Sequence, residues 1–315
     1  MITPPIFPTG TGPRYFAGTN LHANQSLMSG LQGLGQHRRT WGRRAAMAGA
    51  IAAALIPVAA SAADMDARGR TLQSAYDWTI TIGIEGKVEP IFPGSKDFAI
   101  RPNPLFDIRR YGTPERFRGP RDGIGFGLIE GSNYQIGPVG ALRIPRKESD
   151  DPAALRGLGD VPWAVELGGF AEYWFVPWLR SRAEVRQGVH GHHGLVADLM
   201  LDAVVPVTSQ LTLSGGPRVT LVTAAANSPY FSIDVNQSAA SGLPVYAAGG
   251  GLKSVGAGAQ ARYFWTPQWA THVYVEYERL TDGAANSPLV TQRGSPDQVT
   301  IGFGVTRSFD IKQPW

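Results

Sequence analysis

The chain has no cysteine among its 315 residues. That one absence excludes a disulfide-stapled fold, a zinc–thiolate site, a cysteine nucleophile and an iron–sulfur centre. Charge is scarce as well: 17% of residues are Asp, Glu, Lys or Arg, against about 25% in average soluble domains. Long apolar runs are missing too. From residue 63 onward no stretch of 18 apolar residues occurs, so that part of the chain has no transmembrane helix. Yet 43% of the chain is hydrophobic, and 39 residues are glycine. Apolar residues in such number without apolar runs must alternate with polar ones.

The formal charge of +4 belongs to one end. Residues 1–62 contain Arg14, Arg38, Arg39, Arg43 and Arg44 and no acid, leaving 24 bases against 25 acids from position 63 onward. Arg38 to Arg44, the apolar run Ala45 to Val58 and the small residues Ala60-Ser61-Ala62 read as an export leader with cleavage before Ala63. Met1, Met28 and Met47 are all candidate starts. The expected organisation is a leader over 1–62, a periplasmic segment over 63–77, a barrel over 78–309 and a tail over 310–315. Without the leader the chain has no basic excess for nucleic acid, and no nucleic-acid motif is present.

Beyond the leader, period-two alternation recurs in long segments. Ile80, Ile82 and Ile84 oppose Thr79, Thr81 and Glu85; Leu179, Ala183 and Val185 oppose Arg180, Arg182, Glu184 and Arg186; Val299, Ile301 and Phe303 oppose Thr300, Gly302 and Gly304. Such segments match the 9–11 residues that a tilted membrane strand needs, whereas soluble strands average about five or six. Aromatics such as Trp78, Trp163, Trp178, Trp265 and Trp269 stand at strand ends, where a bilayer's two headgroup layers place them. Short connections at 176–178, 206–210 and 266–268 alternate with long ones at 145–162, 223–250 and 281–297. This is the asymmetry of short periplasmic turns and long outer loops. The reading is a closed antiparallel transmembrane β-barrel, all-β, of twelve strands, or ten if the short segment at 115–119 and one neighbour are not strands. Closure is expected because backbone groups in hydrocarbon must be paired.

Blocks at 93–97 (PGSKD), 155–161 (LRGLGDV), 179–199 (LRSRAEVRQGVHGHHGLVADL), 237–258 (QSAASGLPVYAAGGGLKSVGAG) and 278–290 (ERLTDGAANSPLV) resemble the MltA-interacting protein (MipA/OmpV) family of Gram-negative outer-membrane proteins. The resemblance implies a monomeric barrel in outer-membrane lipid. For the founding members it implies a scaffold joining a lytic transglycosylase to a bifunctional penicillin-binding protein. Other members are described as porin-like, adhesive or immunogenic. The chain itself shows no motif for murein enzymes.

The chemistry-bearing residues fall on one face. Arg180, Arg182, Glu184 and Arg186 stack at two-residue spacing, and Glu166, Glu172, Asp198, Asp202, Arg262, Glu276 and Glu278 share the inward parity on neighbouring strands. Facing lipid, an Arg or Lys at the midplane would cost about 2–4 kcal/mol, so these groups are expected to pair in the lumen. They would form either a salt-bridged plug or a charge-selective constriction of a narrow channel for small polar solutes. His190, His192 and His193 lie in a glycine-rich loop without an acid and read as a solvated outer loop rather than a metal site. His272, Tyr274 and an inward Ser214 lack a GxSxG elbow. The expectation is a non-enzymatic protein with no cofactor or metal.

Overall fold

The computed structural model describes residues 76–312; the leader, the cleavage position before Ala63 and Trp315 lie outside them. Among the described residues twelve antiparallel strands form one curled sheet. They are β1 (Trp78–Pro90), β2 (Phe98–Arg110), β3 (Ile124–Gly125), β4 (Ile129–Glu130), β5 (Tyr134–Arg143), β6 (Ala164–Val176), β7 (Leu179–His190), β8 (Leu195–Pro206), β9 (Leu211–Val222), β10 (Gly251–Phe264), β11 (Trp269–Leu280) and β12 (Asp297–Ile311). All but β3 and β4 are 10 to 15 residues long. The first and last strands meet, with Trp78 opposite Ile311 and Val88 opposite Ile301. The ladder runs from β2 through β1 and β12 back to β5 and β3, with β4 also on β5. No ladder among the described residues joins β2 to β3, β4 or β5, so the curled sheet carries one seam.

Alternation set the two faces as expected. On β1, Thr79, Thr81 and Glu85 are buried while Ile82 and Ile84 are exposed; on β12, Phe303 is exposed beside buried Thr306 and Gln298. The apolar outer face is what a hydrocarbon environment selects. Inside, small residues make room for large ones. A Cβ on Gly304 would stand 2.3 Å from the His272 ring, and one on Gly302 would stand 2.2 Å from the Tyr274 ring, so both rings lie across bare backbone.

Two parts of the chain depart from simple alternation, each for a local reason. The segment at 122–130 forms the short pieces β3 and β4 instead of one strand. Even-numbered residues of β5 turn their backbone groups toward it, as the bond from Leu128 N–H to the Ile136 carbonyl shows. Pro138 is one of those residues and has no N–H to offer, so the ladder breaks between the two pieces. The segment 111–123 holds no strand at 115–119. Glu115, Arg116 and Arg118 surround Phe117, with Pro114 and Pro120 on either side, so neither parity supplies an apolar face for lipid. The segment leaves the wall and climbs inside the barrel as a strap.

The long connections fold together over the mouth opposite the chain ends. They contain a short 3-10 turn at Glu148–Asp150 and the helices α1 (Pro152–Leu155), α2 (Ala224–Phe231), α3 (Val235–Ser241) and α4 (Asp282–Ala285), with a wider turn at Leu289–Arg293. Phe92, Leu155, Leu158, Ile233, Leu243 and Leu289 pack into one cluster, and Val161, Tyr230, Phe231, Leu280, Ala284 and Val290 into a second. Full burial of each large side chain contributes roughly 1.5–3 kcal/mol, so the cap has a hydrophobic core of its own. Polar ties lock it: Arg293 donates to the carbonyls of Ala154 (2.9 Å) and Ser241, Gly94 N–H donates to Gln298 (2.8 Å), and Ser287 donates to the Phe231 carbonyl (2.7 Å). Arg146 donates to the Tyr230 carbonyl at 3.0 Å, and burial lowers its guanidinium to about 10.

Candidate functional site

The lumen is the chemical centre of the molecule. It is built from period-two positions of six wall strands, β5, β6, β7, β8, β9 and β11, together with the strap. At the cap end, Glu166 on β6 receives Arg143 from β5, Arg186 at 3.0 Å and the His192 ring at 3.0 Å. Arg186 also reaches Glu184 and Asp198, the latter at 2.5 Å. Glu184 continues to Arg182 at 2.8 Å, and Arg182 to Glu172 at 3.2 Å. Glu172 meets Arg180 at 2.9 Å; Arg180 meets Asp202 at 3.1 Å and the strap's Asp122 at 2.6 Å. Asp202 binds Arg218 at 2.5 Å, which lies 3.6 Å from Glu276. The strap's Arg121 closes the chain of pairs on Glu276 at 3.5 Å and Glu278 at 3.0 Å.

Ten of the eleven residues expected to share the lumen therefore belong to one continuous network: Glu166, Glu172, Arg180, Arg182, Glu184, Arg186, Asp198, Asp202, Glu276 and Glu278. Arg262 stands apart, 2.5 Å from Glu115 near the foot of the strap. Arg180, Glu166 and Glu184 are completely buried. Aromatic faces share the space: the Arg182 guanidinium lies 3.8 Å over Phe170, and that of Arg180 lies 5.0 Å over Phe117. Neutral donors complete the carboxylate shells, as Thr220 does for Asp198 at 2.6 Å and Trp174 for Glu172 at 2.9 Å.

Some members of this network were legible and others were not. Arg218 sits at the inward parity of β9 with Thr212, Ser214 and Thr220, so alternation was sufficient to find it. Its role is partly backbone repair: β8 and β9 lose their pairing beside Pro217, and Arg218 donates to the Leu201 carbonyl there at 3.2 Å. Arg143 is likewise findable by parity, as is Glu85, which stands outside the network beside His272. Arg121 and Asp122 carry no periodic signal, because the strap is not a strand.

The histidines divide among separate partners. His190 packs at a tilt against Trp163 with ring centroids 4.3 Å apart, His192 is buried against Glu166, and His193 is exposed. The cluster in the sequence is thus dispersed in space, and the solvated-loop reading does not hold for His192. His272 lies 2.6 Å from Glu85, which also accepts from the Tyr274 hydroxyl at 3.3 Å. Ser214 stands on β9 opposite Gln260, with β10 between it and His272.

Between network and cap lies a small cavity. Arg143, His192, Asn227, Tyr230 and Lys253 line a cavity of about 10 Å³ there, room for roughly one water. A larger hollow of about 640 Å³ is lined by lipid-facing residues such as Ile136, Tyr173, Leu199 and Leu201 and lies outside the wall.

Comparison with known proteins bears on this arrangement. The family described as MltA-interacting protein MipA matches residues 82–309. No curated protein matches the chain. Among solved structures, an outer membrane channel from Pseudomonas putida F1 is 11% identical, with 78% of this chain and 100% of that chain covered and a TM-score of 0.39. The NanC porin is 8% identical over 73% of this chain and 98% of its own, at 0.35. The outer membrane protein OprG from Pseudomonas aeruginosa is 12% identical over 75% and 97%, at 0.27.

Proposed function

We propose that this chain, which belongs to the MltA-interacting protein (MipA) family and is an outer-membrane β-barrel, works as a sealed, non-enzymatic scaffold rather than as an open pore. The observation that carries the reading is the double closure of the lumen along the barrel axis, by network and by cap. Six arginines and eight carboxylates interlock across its width, and the long connections pack into a cap with its own hydrophobic clusters over them. A pore selective for one charge sign would need a ring of that sign around a water-filled path. Here bases and acids alternate: Arg180, for example, is held by Glu172 and Asp202 on both neighbouring strands and by Asp122 of the strap.

A barrel that spends its lumen on rigidity offers partners a stiff platform. The family's name points to a murein transglycosylase as the partner, and by resemblance a bifunctional penicillin-binding protein joins it. The periplasmic turns and the foot of the strap are the surfaces on the correct side. Two measurements on the purified full chain test this. In planar bilayers, conductance is expected to stay at the level of the bare membrane. Affinity capture from solubilised envelopes is expected to recover a lytic transglycosylase. A steady conductance together with no transglycosylase overturns the proposal and favours a narrow channel for small polar solutes.

A further inference from the structure

The seam between β2 and β3 has its own chemistry, separate from lumen and cap. Backbone bonds from Ile91 N–H to Asp97 and from Tyr111 N–H to Asp77 bracket the β1–β2 ladder. In antiparallel pairing, bonded positions recur at every second residue. Odd-numbered residues of β2 thus turn their backbone groups to β1, and even-numbered ones turn theirs to the free edge. Both prolines of β2 are even-numbered. Pro102 and Pro104 stand opposite Gly86 and Ile84, at mid-height of the wall. Proline has no N–H, so this edge lacks two donors where an unpaired donor in hydrocarbon would be most costly. The facing edge is irregular: the 122–130 segment pairs with β5 only at Ile124–Gly125 and Ile129–Glu130, and the β3–β5 ladder stops at Ile124 and Gly140, leaving exposed Leu142 beyond it.

We propose that this seam is a lateral opening in the barrel wall and that an acyl chain of a membrane lipid occupies it. The rims are apolar and outward-facing: Ile100, Phe106 and Ile108 on one side, Ile124, Phe126 and Leu128 on the other, all more than half exposed. A β-strand from a second copy is a poor occupant, because it would find no donor at Pro102 or Pro104 and its ladder would fail in the middle. An acyl chain needs no hydrogen bonds and matches both rims. Just behind the seam lies the lumen face of β2, where Asn103 donates to Glu85 at 3.3 Å.

The cysteine-free sequence permits a direct test with single cysteines carrying a bimane fluorophore. The full chain is reconstituted in phosphatidylcholine vesicles containing chain-brominated phosphatidylcholine. Ile100→Cys reports the lipid face, Asn103→Cys the lumen face at the seam, and Thr212→Cys the lumen face on β9. Quenching at Asn103→Cys is expected to reach roughly half of that at Ile100→Cys, with Thr212→Cys near zero, because only an open wall admits hydrocarbon. Adding Pro102→Thr and Pro104→Thr restores two donors and is expected to lower the Asn103→Cys signal at least twofold. If Asn103→Cys is as protected as Thr212→Cys in the parent chain, the proposal is overturned. It is equally overturned if protection at Ile100→Cys and Asn103→Cys appears together with a dimer in detergent, which assigns the seam to a second copy.

Discussion

Arg186 shows how much one buried side chain carries. It neutralises Glu166, Glu184 and Asp198 together, and all three carboxylates are buried. Arg186→Ala is expected to destabilise the barrel by roughly 3–5 kcal/mol, because it strands buried charge. Arg116 pairs with Glu130 at the exposed foot of the strap, and its replacement by Ala is expected to cost at most about 1 kcal/mol. Urea unfolding of the two variants, followed by heat-modifiable migration, checks the contrast; equal losses would mean that the lumen network does not carry stability. The side-chain direction of Arg186 was readable from parity alone. So was Glu184, two residues away on the same strand, but the pairing with Glu166 on β6 and Asp198 on β8 was not, since a linear pattern gives no cross-strand height.

Elements differ in how far they speak for themselves. The ten long strands announce themselves by alternation, and their ends fall close to the residues expected. The cap does not: the connections at 145–162, 223–250 and 281–297 read as polar loops, yet Leu155, Ile233 and Leu289 form a core only when all three meet. Leu289→Ala is expected to weaken the cap by about 2–5 kcal/mol while the strands stay intact. Limited proteolysis should then cut within 223–250 at lower protease concentration, with heat-modifiable migration of the barrel unchanged. The strap and the cap are seals in series, so the tighter one sets the resistance. Deleting residues 113–121 is expected to leave conductance at baseline, and deleting 224–248 as well is expected to raise it. A large conductance from the strap deletion alone would show that the cap is permeable.

At the scale of the whole molecule, the lumen charges are internal and nearly balanced, so salt should matter little. Pairs shielded from water are screened far less than surface pairs. The midpoint of urea unfolding is therefore expected to move little between low and molar salt, whereas a strong fall would point to exposed, solvent-screened pairing. Membership of the MipA family and placement in the outer membrane rest on most of the barrel length, residues 82–309.

Sequence alone determined the ten long strands, their two faces, the gathering of the long connections at one end and the inward set around Arg180, Arg182, Glu184 and Arg186. These follow from the two-residue repeat of strand geometry, which is local and therefore written in consecutive residues. Tertiary structure alone decided that residues 111–123 climb through the lumen, that three loops close into a cap, that His192 turns to Glu166, and that the wall keeps a seam beside Pro102 and Pro104. Each of those depends on groups distant in the chain meeting across a curved sheet, and an irregular segment has no period from which its destination can be read.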